Sequence, residues 1–74
     1  MYIIHEYQTN AEGVTSVVPP VTKQTMEEAY STYYTILAAA SISSVPYHTA
    51  MLCYHNGNMI ESKMFDHLTE EAND

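Results

Sequence analysis

Two strand-like runs flank the pair Asn56-Gly57 within Val45 to Asp66, and no other feature constrains the fold of this chain as tightly. A type I′ turn needs φ > 0 at both central positions, which asparagine and glycine tolerate best, so the pair predicts a two-residue hairpin. That turn sets the register. His55 then faces Asn58, Cys53 faces Ile60, Met51 faces Ser62 and Thr49 faces Met64 on one surface of the ribbon. Tyr54, Met59, Leu52, Glu61, Ala50, Lys63, His48 and Phe65 occupy the other. Both surfaces are largely apolar, whereas a hairpin with one wet face alternates apolar and polar residues. One surface is therefore expected under a helix and the other against a second subunit, with Met51, Leu52, Tyr54, Met59 and Phe65 as the candidate interface residues.

The first eighteen residues repeat the pattern. Tyr2 to Thr9 is rich in aromatic and β-branched residues and reads as a strand, Asn10-Ala11-Glu12-Gly13 as a turn, and Val14 to Val18 as a second strand ended by Pro19-Pro20. Thr25 followed by Glu28 is a capping-box pattern that starts a helix. Met26, Ala29, Tyr30, Tyr33, Ile36, Leu37 and Ala40 recur at helical spacing and mark its packing face. Ser43-Ser44-Val45-Pro46 stops it, because the residue before proline is pushed out of the α region. The order strand, strand, helix, strand, strand predicts an α+β fold of ββαββ type: a four-stranded antiparallel sheet with one helix packed on one face. Residues 1–68 form the single domain of this reading, and residues 69–74 an acidic frayed tail.

A chain of 74 residues buries only about 60% of its unfolded surface on folding, so added stabilisation is expected. The single cysteine, Cys53, cannot close an internal disulfide, and four histidines without close cysteine partners give no standard structural zinc pattern. Self-association is the remaining source of buried area. Net charge is −7, with Lys23 and Lys63 as the two fixed cations and no arginine. Two lysines do not make the basic footprint that phosphate binding requires, which disfavours direct nucleic-acid contact. The acidic balance suits either a partner protein with a basic surface or plain solubility. Tyr2 to Tyr7 lacks the basic lead of a signal peptide and no apolar run nears the ~20 residues of a membrane span, so a cytoplasmic location is expected.

The run from Ala38 through Val45-Pro46-Tyr47-His48 to Leu52, the following Asn56-Gly57-Asn58 and the ending Lys63-Met64-Phe65-Asp66-His67 resemble short uncharacterised proteins of phages and prophages of gut Firmicutes. Gly13-Val14-Thr15-Ser16-Val17-Val18-Pro19-Pro20 fits the amino-terminal hairpin of that group. The resemblance is one of layout and spans nearly the whole chain. It implies a viral setting, in which such proteins act as accessory factors that bind a host protein or sequester a defence signal; it carries no catalytic or binding residue with it.

Candidate chemistry is sparse. His48 sits opposite Phe65, two residues before His67, so the two imidazoles can approach at the open end of the ribbon, but a metal needs a third ligand and histidines in strands are more often simply hydrogen-bonded. Cys53 and His55 share a face at i, i+2, without a glycine loop or an acid to complete a hydrolase. Glu27-Glu28 and Glu70-Glu71 are adjacent and diverge, which serves capping and solvation better than acid–base chemistry. Seven tyrosines are a large supply of rigid amphipathic side chains. Most belong in the core or an interface, while Tyr30, Tyr33, Tyr34 and Tyr47, with His48, are candidates to line a cleft for a ring-bearing ligand.

The sequence predicts a non-enzymatic, homo-oligomeric accessory binding protein, such as a counter-defence factor directed at a host protein or a small signalling molecule, with no cofactor. A minor virion structural or assembly protein, or a small Cys/His enzyme, are the alternatives.

Overall fold

A computed structural model describes residues 1–67. The elements follow the expected order: β1 (Tyr2–Thr9), β2 (Thr15–Lys23), α1 (Met26–Ser41), β3 (Tyr47–Tyr54) and β4 (Met59–Asp66). All four strands join one antiparallel sheet in the order β2-β1-β3-β4, so the two hairpins lie side by side with β1 against β3. The fold is α+β, with α1 packed across one face. The expected acidic tail, residues 69–74, lies outside the described residues.

Period-2 alternation decides which side chains reach the helix. Ile4 pairs with Leu52, so Tyr2, Ile4, Glu6 and Gln8 of β1 share a face with Tyr54, Leu52, Ala50 and His48 of β3. From α1, Ala29 and Tyr33 close on Ile4, Ala50 and Leu52 to make the buried cluster, and Tyr2, Tyr30, Ile36, Leu37 and Ile60 pack around it. The alanines at the contact let the helix approach the strands closely. Of the run Ala38-Ala39-Ala40 only Ala40 is buried.

Local chemistry sets the helix limits. The Thr25 hydroxyl accepts from the Glu28 backbone N–H at 3.2 Å and donates to the Glu28 carboxylate at 2.9 Å. Cap and carboxylate thus meet through the hydroxyl itself, a variant of the reciprocal bond that the sequence pattern implies. At the other end Ile42 closes the last turn through its N–H to Ala39 O, ahead of Pro46.

Three sequence expectations need correction. Asn56 does not adopt positive φ; among the described residues only Gly13 and Gly57 do, at 85° and 95°. The Tyr54 N–H bonds to Asn58 O at 2.8 Å and the Gly57 N–H to Tyr54 O at 2.9 Å, so the loop is three residues long with the left-handed residue at Gly57. The first hairpin is built the same way, with Gly13 N–H to Asn10 O and Asn10 N–H to Val14 O. The longer loop moves Cys53 from Ile60 to Met59, and a bulge restores the expected register from Leu52 and Glu61 through His48 and Phe65. Ile60 is the residue displaced by the bulge and packs on the helix-side cluster rather than opposite Cys53.

The third correction concerns β2, which does not end at Pro19-Pro20 but runs to Lys23. Val18 pairs with Glu6 and Val21 with Ile4 of β1, skipping His5, so both prolines sit in a bulge. β2 is an edge strand, where a missing N–H breaks no inner ladder.

Leu52 sits at the centre of the cluster with no exposed surface. Leu52→Ala should lower unfolding free energy by about 3 kcal/mol in denaturant titration, through lost burial and the cavity left behind.

Candidate functional site

The face of the sheet away from α1 carries the residues alternate to the core set: Ile3, His5, Tyr7 and Thr9 from β1, and Tyr47, Thr49, Met51 and Cys53 from β3. β2 adds Val17 opposite Tyr7, and β4 adds Met64 opposite Thr49. Val17 is 60% exposed and Met64 53%, while Ile3, His5, Tyr7 and Met51 are half-buried by one another. The rings of His5 and Tyr7 lie nearly parallel, 6.2 Å apart. No described element covers this surface.

The five residues expected at a subunit interface divide between environments. Met51 lies on the open face and is half-buried. Leu52 is in the core beneath α1, which rules it out as a surface contact in this fold. Tyr54 and Met59 are exposed at the hairpin end, Tyr54 with its ring 5.8 Å from that of Tyr2. Phe65 is half-buried on the helix side, with Lys63 Nζ 5.2 Å above its ring and the His67 ring stacked at 6.0 Å.

The aromatic cleft does not assemble as expected. Tyr30, Tyr33 and Tyr34 cluster on α1, with centroids 5.7 Å (Tyr30 to Tyr34) and 5.5 Å (Tyr33 to Tyr34) apart, but Tyr33 is buried in the core. Tyr47 lies on the opposite face of the sheet, and pleating puts His48 on the helix side. The described residues enclose no pocket.

Burial pushes the Tyr30 hydroxyl above the ordinary tyrosine value, helped by its hydrogen bond to the Glu61 carboxylate. Burial also raises Tyr33, with the Glu61 charge adding to it. A raised folded-state pKa means the folded chain holds its protons where the unfolded chain has begun to lose them. Tyrosine therefore contributes stability in full below pH ~10 and loses it as pH climbs through the higher folded-state values. Alkaline titration should show stability falling above pH ~10, and Tyr33→Phe should flatten that limb as read by chemical denaturation at each pH.

The expected pairing of His48 with His67 gives way to a different contact, one that sequence spacing did not suggest. His48 Nε2 lies 2.5 Å from Glu6 Oε2, joining β3 to β1, and Gln8 Nε2 donates to the same oxygen at 3.3 Å. The His48 side chain is 5% exposed and that of Glu6 19%; His48 Nδ1 has no partner among the described residues. His67 Nε2 lies 2.9 Å from Ala40 O, tying the end of β4 to the end of α1. No three His, Cys, Asp or Glu groups converge for a metal among the described residues. Cys53 is buried and His55 exposed in the turn, with no hydrogen bond between their side chains among the described residues.

No family model, curated protein or solved structure matches this chain.

The Glu6–His48 contact has a clear energetic signature. Glu6→Ala should destabilise the fold by about 2 kcal/mol, since it strands a buried imidazole, whereas replacing both residues by leucine should be close to neutral. Urea unfolding of the two singles and the double measures the coupling; additive effects would show that the pair carries no shared energy.

Proposed function

We propose that this chain is a non-enzymatic accessory binding protein, self-associating and of phage or prophage setting, which uses the open face of its sheet to engage a host protein as a counter-defence factor. The observation behind this reading is that face itself. A sheet with one side in water alternates apolar-in and polar-out, yet Ile3, Tyr7, Met51, Met64 and Val17 stand on the side that α1 does not cover. Tyrosine and methionine are the types enriched where protein surfaces meet, since one is rigid and amphipathic and the other adapts its shape.

A broad, pleated surface suits a protein partner better than a small molecule, which takes a concave site. The charge balance of −7 adds a long-range component, favouring a partner whose rim is basic and speeding encounter at low salt. No helix among the described residues is long and apolar enough to cross a membrane.

Tyr7→Asp and Met51→Asp place a charge on the open face without touching the helix-side cluster, while Ala38→Asp does the same on the exposed side of α1. Native mass spectrometry of the purified chain with extract of a gut Firmicutes host should show a bound protein. Its affinity should fall roughly tenfold or more in the first two variants and hold in the third, with unfolding midpoints alike. Equal binding by all four proteins would sink the assignment of the face.

A further inference from the structure

The two edges of the sheet are unlike. β2 carries Pro19 and Pro20 in a bulge, so its outer row lacks two donors and its line is broken. β4 is eight residues long, contains no proline, and no described strand lies against its outer side. The direction of its backbone groups follows from one bond. His67 N–H donates to Pro46 O at 2.9 Å, and pairs alternate from there along the ladder. Phe65, Lys63 and Glu61 therefore turn N–H and C=O toward β3, while Asp66, Met64 and Ser62 turn theirs outward.

A lysine on an edge strand is a common device for keeping that edge single, and Lys63 would serve if it met another Lys63. Its neighbour two residues back changes the outcome. Glu61 and Lys63 are both exposed and lie on the same side of β4, in a chain that has only two lysines. Antiparallel pairing of β4 with a second copy about a two-fold axis at Ser62 sets Glu61 of each copy opposite Lys63 of the other. The bulge at Ile60 limits regular pairing about this axis to the segment from Ile60 to Met64 of each copy. An axis one residue along would place the two Lys63 ammonium groups face to face, and like charges directly opposite are unfavourable.

We propose that β4 is a self-complementary edge, through which two copies join by antiparallel β4 strands centred on Ser62 into one eight-stranded sheet. The partner is a second copy of this chain, selected by the reciprocal Glu61–Lys63 pairs and by the proline-closed opposite edge, which confines growth to a dimer. This goes beyond the binding role of the open face and concerns a different surface. Pairing at the edge leaves both open faces uncovered and brings them side by side.

Sedimentation equilibrium and native mass spectrometry of the full chain test this. The natural sequence should be a dimer. Lys63→Glu and Glu61→Lys should each weaken dimerisation by roughly tenfold or more, and the double exchange should restore it. Ser62→Cys should form an intermolecular disulfide under mild oxidation, as residues directly opposite in an antiparallel pair approach within bridging distance. Circular dichroism should match in Lys63→Glu and Ser62→Cys, whose side chains are exposed; Glu61→Lys also removes the acceptor of the Tyr30 hydroxyl, so its dimerisation is compared at matched folded fraction and the double exchange is the deciding variant. A monomeric natural chain, single variants that dimerise unchanged, or a double exchange that fails to recover would each overturn the proposal. Tyr7→Asp separates the two surfaces: a dimer lost in that variant and kept in Lys63→Glu would place self-contact on the open face and refute edge pairing, leaving the face's role as a contact surface standing.

Discussion

The fold depends on a narrow contact, the seating of Ala29 and Tyr33 of α1 against Ile4, Ala50 and Leu52. Two of these five are alanines, which allow the helix to approach the sheet but contribute little area of their own. The fully buried large side chains are Ile4 and Leu52, one from each central strand. Hydrophobic burial scales with apolar area, so a cluster this small leaves a thin margin over the entropy of ordering the chain. The tyrosines around it extend the contact. Tyr2 and Tyr30 pack on the cluster's rim, and the Tyr30 hydroxyl anchors on Glu61 of β4.

Because the core draws on alternate residues of β1 and β3, the same pleat that fills one side loads the other. Ile3 follows from Ile4, and Met51 from Leu52, as neighbours that must point oppositely. Strands β1 and β3 are central and β2 and β4 are edges, so the apolar character of the open side concentrates along the middle of the sheet. An interior pair of this kind normally belongs to a sheet covered on both faces. Among the described residues, α1 covers one.

Element order, helix limits and the greater part of the β3–β4 register were legible in the sequence, for a physical reason: each rests on local chemistry. The Thr25 hydroxyl and Glu28 carboxylate act within one turn, and Pro46 acts on its own neighbour. Two loop lengths compete for the same Asn-Gly pair, and the extra loop residue is absorbed by a bulge at Ile60 that no local preference announces. Pro19-Pro20 fits a sheet edge as well as the residues just beyond a strand, and which of the two holds is a property of the whole sheet. The Glu6–His48 contact was invisible for the same reason. Its partners are 42 residues apart and meet only because β1 pairs with β3, an adjacency that strand order in the chain does not specify.

That contact also shows how a thin core is kept in register. The carboxylate of Glu6 stands opposite Ala50 and the imidazole of His48 one step further on the helix side, opposite Gln8, where apolar side chains give way to polar ones toward the Thr9 and Tyr47 end. Burying such a pair recovers little net energy over an apolar substitute, because desolvation offsets most of the attraction. Its effect is on alternatives. Sliding β1 by one residue against β3 would turn Glu6 to the open face and leave the His48 ring alone under α1, an unpaired polar group that the fold could not satisfy. A chain with so few core contacts gains its uniqueness from that penalty, while the apolar residues on either side supply the area.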